Sequence, residues 1–234
     1  MNKKVVILSG AGLSAQSGLK TFRDSGGLWE EYDVMEICSI AGFERNRQKV
    51  LDFYDQRRQQ LADVKPNKAH EIIAKIKEKY KENVSVITQN VDDLLERAGC
   101  VDVVHVHGFL PQIYCELCGT IKNIGYKSQK GEICPKCKSE LMRHNIVMFG
   151  EMAPFYKVLY EKLDELRFAP DSLFVCIGSS GEVLNVASFA GYANKSILNN
   201  LEKTKIDKAF SKSYNEPATT ALPKIAIDID EFFA

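Results

Sequence analysis

The chain has 234 residues, of which 45% are hydrophobic, 26% charged and 9% aromatic. A chain of this size can bury the core of one large domain, or of one domain with an insertion, and this composition excludes disordered and fibrous proteins. Lysine plus arginine and aspartate plus glutamate number 31 each, so no overall positive charge exists to attract nucleic acid or an anionic membrane surface.

No segment has the sequence of a membrane anchor or an export signal. The longest uncharged run, Val5 to Leu19, is interrupted by glycines and serines and is too short to span a bilayer. Only Val5 to Leu8 are continuously apolar, which is too few residues for a signal peptide. We therefore expect a cytoplasmic protein without membrane contact.

Short runs rich in β-branched residues alternate with helical patterns along the chain. This alternation predicts an α/β fold with a mostly parallel sheet that helices cover on both faces. The predicted strands are Lys4 to Ser9, Val84 to Thr88, Val101 to His107, Ile146 to Phe149, Leu173 to Ile177 and Ser196 to Leu198.

Two segments fit this sheet poorly and are predicted to form a smaller lobe. Residues from about 31 to 81 show helical spacing, and residues from about 112 to 144 are rich in turns and contain both Cys-x-x-Cys pairs. We predict a single domain over 1–234, with a ligand-binding cleft between its two lobes. The large lobe would comprise about 1–30, 82–111 and 145–234, and the small lobe about 31–81 and 112–144.

A glycine-rich segment, Gly10-Ala11-Gly12-Leu13-Ser14-Ala15, directly follows the first predicted strand. It matches the G-x-G-x-x-G/A pattern, in which glycines let the backbone approach a pyrophosphate at the start of the next helix. A glycine-rich turn without a ligand fits the same pattern, and the acidic residue expected after a second strand is not evident.

Four of the seven cysteines have the spacing Cys115-x2-Cys118-x15-Cys134-x2-Cys137, which is typical of a four-thiolate zinc ribbon. Four thiolates fill the tetrahedral shell of zinc and leave no position for water. The ion is therefore expected to be structural. Two pairs at this spacing argue against a redox dithiol.

Two polar segments follow predicted strands. Thr88-Gln89-Asn90-Val91-Asp92 ends one strand, where open α/β sheets place ligand contacts, although Asn90 or Asp92 can equally cap the next helix. Strand alternation would put His105 and His107 on one face. His107 can serve as a general base near neutral pH, or be a hydrogen-bonded polar residue without a catalytic role.

Taken together, these motifs resemble those of the sirtuins, a family of NAD-dependent protein-lysine deacylases. The resemblance covers nearly the whole chain and implies a Rossmann-like large lobe, with a small lobe made of a helical module and a four-cysteine zinc ribbon. The matching motifs are, in chain order, 10–14, Ser17-Gly18, Thr21-Phe22-Arg23, Gly26-Gly27-Leu28-Trp29, 88–92, His107-Gly108, the four cysteines, Val147-x-Phe149-Gly150-Glu151 and Gly178-Ser179-Ser180.

The resemblance implies a reaction and a set of site residues. Nicotinamide is cleaved from NAD, the acyl group of lysine is transferred to ADP-ribose, and His107 acts as base on a ribose hydroxyl, with Asn90 as the second catalytic residue. Val147, Phe149, Gly150 and Glu151 would form an extended edge for the substrate peptide. The implied NAD-binding residues are Gly10, Ala11, Gly12, Ser14, Thr21, Phe22, Arg23, Trp29, Gln89, Asn90, Asp92, His107, Gly178, Ser179, Ser180, Asn200, Glu202 and Ala218.

Tyr54 and Arg57 lie three residues apart on a predicted helix, so both side chains point to one side. Such a pair can hold a carboxylate through charge-assisted hydrogen bonds, although a half-buried tyrosine beside a solvated arginine is common in any helix. The Tyr-x-x-Arg spacing resembles that of the sirtuin subgroup that removes succinyl and malonyl groups. We therefore predict desuccinylase activity beside deacetylase activity.

The sequence departs from the sirtuin pattern at a few positions. Lys20 replaces a usual proline, Ser179 a threonine and Asn185 a proline, and residues 214–218 align only loosely with the last cofactor segment. None of these changes removes a residue that the chemistry requires.

Two other functions fit parts of the sequence. The same site could transfer ADP-ribose to protein or hydrolyse NAD. A zinc-ribbon binding module with an NAD-sensing lobe would instead favour a basic ribbon, and residues 112–144 carry six basic and three acidic side chains, a net +3. The partners we expect are acyl-lysine proteins, not nucleic acid, and the length, without appended domains, predicts a monomer.

Overall fold

The computed structural model describes residues 3–19 and 33–234. In this part of the chain the strands are β1 (Lys3–Ser9), β2 (Val84–Thr88), β3 (Val104–His105), β4 (Gly108–Cys115), β5 (Ile121–Asn123), β6 (Met142–Ile146), β7 (Asp171–Ile177), β8 (Lys195–Asn200) and β9 (Lys212–Asn215). The α-helices are α1 (Val34–Ile37), α2 (Ile40–Arg45), α3 (Arg47–Asp63), α4 (Lys68–Tyr80), α5 (Leu94–Arg97), α6 (Tyr156–Phe168), α7 (Val186–Phe189) and α8 (Ala218–Phe233).

Six strands form a parallel sheet in the order β3-β2-β1-β7-β8-β9. In terms of their order along the chain this is 3-2-1-4-5-6, the arrangement of a doubly wound Rossmann fold. Alternate residues of the central strands enter two separate cores. Val5 and Ile7 face one side, whereas Val6 and Leu8 face the other. The predicted parallel sheet, buried on both faces, is confirmed.

Helices cover both faces of this sheet. α4 and α8 pack on the face that contains Val5 and Ile7, and α6 and α7 pack on the opposite face. The division of the chain into lobes remains a proposal. The packing of α4 against the large sheet argues for ending the first small-lobe segment before Lys68 rather than near residue 81.

A second, antiparallel sheet has the strand order β5-β4-β6 and belongs to the small lobe. Its inner residues Leu110 and Ile146 share a core with Val50, Phe53 and other residues of α1 to α3. The turns that hold the cysteines extend from the far end of this sheet. The predicted small lobe of a helical module and a cysteine ribbon is therefore present.

Five strands differ from prediction. β4 and β5 were not predicted, because β5 and half of β4 lie in the turn-rich segment that contains the cysteines. The segment predicted over Val101 to His107 pairs only at Val104 and His105, because Asp102 has a positive φ of 55° that interrupts an extended run. The strand predicted from Ile146 ends there and begins at Met142 in the antiparallel sheet. β9 was not predicted, since this partly exposed strand lacks the apolar run of a central strand.

In the described ranges, 3–19 and 33–234, no helix combines the length and hydrophobicity needed to cross a membrane.

Candidate active site

Three loops meet at the carboxyl ends of the central strands. β1 lies between β2 and β7, and the ends of the strands are level, because Ser9 pairs with Thr88 on one side and with Ile177 on the other. The order of the strands reverses between β1 and β7. In open α/β sheets, ligands bind in the crevice at such a switch point.

Glycines allow the loops after β1 and β7 to touch through their backbones. The backbone N–H of Gly12 donates to the carbonyl of Gly178 over 3.0 Å. A Cβ atom on Gly12 would lie 2.7 Å from the Cα atom of Gly178, and Gly178 itself has a positive φ of 63°. Any side chain here would push the two loops apart.

The first glycine motif is followed by short 3-10 turns, Ala11–Leu13 and Ala15–Ser17, and not by a long helix. Within residues 10–19, where the structure describes this segment, no full helix supplies the dipole that the G-x-G-x-x-G/A pattern leads us to expect. The glycines of this turn serve the contact between the two loops.

The hydroxyl of Ser14 is the centre of a buried hydrogen-bond network. It donates to Oδ2 of Asp92 over 2.9 Å and accepts from Nδ2 of Asn90 over 3.1 Å. Nε2 of His70 lies 3.3 Å from the same oxygen. One hydroxyl thus joins the loop after β1, the loop after β2 and helix α4.

Sequence reasoning assigned no role to His70, which is fully buried. Its Nδ1 accepts the backbone N–H of Asn67 over 3.2 Å, so its proton lies on Nε2 and points to Ser14. Burial lowers the pKa of His70 to about 4, and the ring is neutral at pH 7. The signal that could have found it is its position three residues after the capping residue Asn67.

Asp92 combines the two roles that its sequence position allowed. Its Oδ1 accepts the backbone N–H of Leu94 at the start of α5, and its Oδ2 accepts the hydroxyl of Ser14. Burial raises the pKa of Asp92, and these two hydrogen bonds act in the opposite direction. Helix capping and a place beside the crevice are therefore both features of this carboxylate.

His107 lies beside the loop after β2 with its two ring nitrogens in different environments. Nδ1 is 3.1 Å from the carbonyl of Gln89, and Nε2 is 2.9 Å from the hydroxyl of Tyr156. The carbonyl can only accept, so the proton lies on Nδ1 and the lone pair on Nε2. Burial lowers the pKa of His107, which favours the neutral ring that a general base requires.

His105 does not share this environment, because β3 ends at His105 and the predicted alternation does not reach His107. Both of its nitrogens meet acceptors, the carbonyl of Asn90 at 2.9 Å and Oε1 of Glu96 at 2.7 Å. Burial acts against the charge of His105, but the contacts with Glu96 outweigh burial and raise its pKa. His105 supports the loop. Sequence reasoning missed Tyr156, the hydrogen-bond partner of His107.

The other predicted cofactor residues lie along the same edge of the sheet. Gln89 donates to the hydroxyl of Ser179 over 3.0 Å, and Asn200 donates to the carbonyl of Ser179 over 3.1 Å. Ser180 and Glu202 are exposed. The methyl group of Ala218 lies in the core, so its side chain is not available to a ligand. Thr21, Phe22, Arg23 and Trp29 lie outside the described residues.

Tyr54 and Arg57 lie on α3, and a chain of contacts links Tyr54 to His107. The backbone N–H of Val147 donates to the carbonyl of His107 over 2.9 Å. Two residues further on, the N–H of Phe149 donates to the carbonyl of Cys38 over 2.7 Å. The hydroxyl of Tyr54 in turn donates to Sγ of Cys38 over 3.4 Å. Burial raises the pKa of Tyr54 well above its ordinary value, so the hydroxyl stays a donor.

The predicted peptide-binding edge is only partly extended. Phe149 forms an isolated parallel bridge with Ser39, and Gly150 turns the chain with a positive φ of 92°. Oε2 of Glu151 accepts the backbone N–H of Met148 over 2.8 Å, and Oε1 accepts a hydrogen bond from Arg143. The side chain of Glu151 therefore holds the turn together.

The four predicted metal ligands, Cys115, Cys118, Cys134 and Cys137, come together. Their Sγ atoms all lie within 4.8 Å of one another. Two of the S–S distances are 3.5 Å, close to the roughly 3.8 Å expected for tetrahedral zinc with Zn–S bonds of about 2.3 Å. Donor type, number and spacing fit one structural zinc ion.

Both cysteine turns have the same local geometry. Gly119 donates its N–H to the carbonyl of Cys115, and Lys138 donates to the carbonyl of Cys134. Each of these donors has a positive φ, 70° for Gly119 and 62° for Lys138. Each turn thereby presents two thiols to the same point.

A Rossmann-like sheet with a crevice at its switch point, beside a four-cysteine ribbon, defines a two-lobed nucleotide-binding protein. The model of the Sir2 family matches residues 10–185. The NAD-dependent protein deacylase of Campylobacter jejuni is 59% identical over 231 residues, which cover 98% of this chain and 97% of the relative. The chain belongs to the Sir2 family, the sirtuins, as its motifs predicted.

Solved structures show the same similarity. A Sir2 homologue in complex with NAD is 30% identical, with a TM-score of 0.83 over 99% of this chain and 91% of that structure. A Sir2 protein with a deacetylated p53 peptide and 3'-O-acetyl ADP-ribose is 29% identical, with a TM-score of 0.79 over 96% of this chain and 93% of that structure.

Proposed function

We propose that this sirtuin is an NAD-dependent protein-lysine deacylase. The observation that carries the proposal is the junction of His107, the Ser14 network and the Gly12–Gly178 contact at one edge of the sheet. The deacylase activity of the C. jejuni relative and the NAD complex of the homologous structure support it.

The NAD-binding residues are those at the carboxyl edge of the sheet. Gly10 to Ser14 and Gly178 to Ser180 offer backbone and hydroxyl groups, and Gln89, Asn90 and Asp92 offer side chains beside His107. Glu202, Asn200 and the backbone of Ala218 would face the adenosine half. When bound, NAD supplies the ribose carbon that receives the acyl oxygen and the hydroxyls that accept the acyl group.

His107 acts as the base in this proposal. Its Nε2 lone pair takes the proton of a hydroxyl that replaces the Tyr156 hydroxyl, while Nδ1 keeps its hydrogen bond to the carbonyl of Gln89. Asn90, through Nδ2, holds the Ser14 hydroxyl and so fixes the loop next to the base. The zinc ion has no open position for water and stabilises the small lobe.

The substrates are acyl-lysine proteins, which a single copy of the chain would bind. The peptide lies along Val147 to Glu151, and the acyl group extends past Phe149 toward Tyr54 and Arg57. The Tyr54 hydroxyl and the Arg57 guanidinium bind the carboxylate of succinyl and malonyl groups, and the same pocket admits acetyl groups.

The first test is mass spectrometry of matched acetyl-lysine and succinyl-lysine peptides, incubated with the protein with and without NAD. We expect NAD-dependent loss of both acyl groups and the appearance of O-acyl-ADP-ribose. Loss of acetyl alone would contradict the carboxylate-binding pair. NAD consumption without loss of either group would contradict deacylation and favour ADP-ribosyl transfer or NAD hydrolysis.

Variants of α3 separate the acyl preference from the chemistry. Arg57→Met is expected to lower kcat/KM for the succinyl peptide by about 10- to 100-fold, the effect of losing a charge-assisted contact, and to preserve deacetylation. Gln56→Met changes the adjacent, exposed residue and is the matched control. An equal loss of both activities in Arg57→Met would contradict the role of this pair.

A further inference from the structure

A second buried polar cluster lies between α3 and the zinc-binding sheet, outside the site described above. It consists of Asp55 and Arg58 of α3 and His144 of β6, which we call the α3 clip. Arg58 is fully buried, and Asp55 and His144 are 8% and 1% exposed. A buried carboxylate and a buried guanidinium are costly unless every polar atom has a partner.

The guanidinium of Arg58 makes four hydrogen bonds, three of them to carbonyls of the small lobe. Nε donates to the carbonyl of Leu110 over 2.7 Å, and Nη2 donates to the carbonyl of Gln112 over 3.1 Å. Nη1 donates to the carbonyl of Lys127 and to Oδ1 of Asp55, each over 3.3 Å. One side chain of α3 therefore binds β4 and the loop that leads to the second cysteine turn.

The carboxylate of Asp55 is held from the other side. It accepts the backbone N–H of Gln129 over 3.0 Å, the hydroxyl of Ser128, and Nε2 of His144 over 2.8 Å. Burial acts against its charge, but the hydrogen bonds with His144, Ser128 and Gln129 lower the pKa of Asp55, which keeps it ionised at neutral pH.

The clip lies on the helix next to the acyl-selecting pair. Asp55 and Arg58 each follow a member of the pair, Tyr54 and Arg57, by one residue, about 100° around the helix. Any rotation or slide of α3 against the small sheet would therefore move both members of the pair together.

His144 also contacts the pair directly. Its ring packs against the ring of Tyr54 with a centroid distance of 5.6 Å, while its Nε2 is bound to Asp55. The Tyr54 hydroxyl reaches Cys38 at the start of the chain of contacts with Phe149. The orientation of the phenol thus depends on a histidine in the zinc-binding sheet.

We propose that Asp55, Arg58 and His144 are positioning residues that fix the acyl-selecting pair of α3 on the zinc-binding sheet. This inference rests on the proposed function for its effect on acyl choice. The clip does not touch the Ser14 network or His107, so its loss changes selection among acyl groups and leaves the common chemistry intact.

The test compares His144→Leu, which removes the hydrogen bond to Asp55, with His144→Gln, whose amide can donate in its place. For His144→Leu we expect the KM of the succinyl peptide to rise about 10- to 100-fold, the effect of misplacing a binding group by about 1 Å. The KM of the acetyl peptide and both kcat values should change by less than about threefold. His144→Gln should restore the succinyl KM.

The alkylation rate of Cys38 gives a readout that does not depend on activity. The Tyr54 hydroxyl donates to Cys38, a contact that by itself favours the thiolate and covers the sulfur. Displacement of Tyr54 in His144→Leu should therefore change the rate at which Cys38 reacts with iodoacetamide, measured by peptide mass spectrometry. The buried thiols of Cys100 and Cys176 are internal controls and should react at an unchanged rate.

Tyr126→Phe is the matched variant. It removes a hydrogen bond between the same loop of the small lobe and Asp93 but keeps the ring that packs in the core beside α3, so it should change neither the succinyl KM nor the alkylation of Cys38. The proposal is overturned if His144→Leu leaves Cys38 alkylation unchanged, or raises both KM values equally, or if His144→Gln fails to restore selectivity.

Failure of the proposed function is a separate result. It would be seen in the wild-type protein, as the absence of NAD-dependent loss of the succinyl group. The effect on acyl choice would then be refuted, and the alkylation rates alone would decide whether the clip positions Tyr54.

Discussion

The two buried polar clusters of this sirtuin, the Ser14 network and the α3 clip, are built in opposite ways. The Ser14 network centres on a neutral hydroxyl with a neutral histidine, and it borders the open crevice. The α3 clip centres on an ionised pair that is bound to backbone groups, a serine hydroxyl and a histidine ring of another module.

The difference corresponds to two different tasks. A hydroxyl can both donate and accept, so the Ser14 network can exchange partners when a ligand enters the crevice. A guanidinium can only donate, and that of Arg58 is fully buried with its hydrogen bonds directed at fixed acceptors between α3 and the small lobe. The Ser14 network is suited to a site that rearranges when a ligand binds. The α3 clip is suited to holding two parts of the protein in a fixed orientation.

The largest effect is expected for Arg58→Leu. The variant removes the buried guanidinium that is paired with Asp55 and takes the donor from the carbonyls of Leu110, Gln112 and Lys127. Breaking a buried ion pair in this way costs about 3–5 kcal/mol of unfolding free energy. Urea unfolding of the wild-type and variant proteins measures this cost. Arg57→Leu on the same helix, at a half-exposed position, should cost below about 1 kcal/mol. Equal losses of unfolding free energy in the two variants would contradict the difference between the buried α3 clip and the exposed side of the helix.

These clusters also show what the sequence does and does not predict. The parallel sheet, the cysteine ribbon and the loop after β2 follow from local patterns of apolar residues, turns and spacing. The α3 clip does not, because Arg58 and Asp55 find their partners 52 to 89 residues away in the sequence. A helical Asp-x-x-Arg pair is read as a solvated face unless the fold is known.

His70 and Tyr156 were missed for related reasons. The capping position of His70 after Asn67 is visible in the sequence, but its contact with Ser14 across 56 residues is not. Tyr156 reaches His107 only because α6 begins at the edge of the crevice.

The pH dependence of stability should distinguish the two clusters next. The pKa of His70 falls from an ordinary value near 6.5 to about 4 on folding, so the unfolded chain binds more protons between these values. Stability from His70 is therefore full above about pH 6.5 and decreases as pH falls toward 4, by about 3 kcal/mol in total.

The difference in unfolding free energy between wild type and His70→Gln, measured from pH 7.5 to 4, isolates this contribution from that of His144, whose pKa burial also lowers. Wild type should lose more stability than the variant across this range. The Asp55 carboxylate affects stability only at lower pH. Its pKa is lowered on folding, so its stabilising contribution is lost only as pH falls below about 3.9, the ordinary pKa of an aspartate. Parallel pH curves for the two proteins would contradict the neutral, buried assignment of His70.

The smallest effect concerns the Ser14 hydroxyl itself. Ser14→Ala leaves the Asp92 carboxylate, the Asn90 amide and the His70 Nε2–H each short of one partner, which costs about 1–3 kcal/mol of stability. Ser17→Ala is the matched control, since the buried Ser17 hydroxyl has no hydrogen-bond partner among the described residues and its removal should cost nothing.

Because the Ser14 network borders the crevice, NAD should restore part of the stability lost in Ser14→Ala if its groups replace the missing partner. Thermal unfolding with and without NAD measures this recovery, and a loss that NAD leaves unchanged would show that the network is as fixed as the α3 clip.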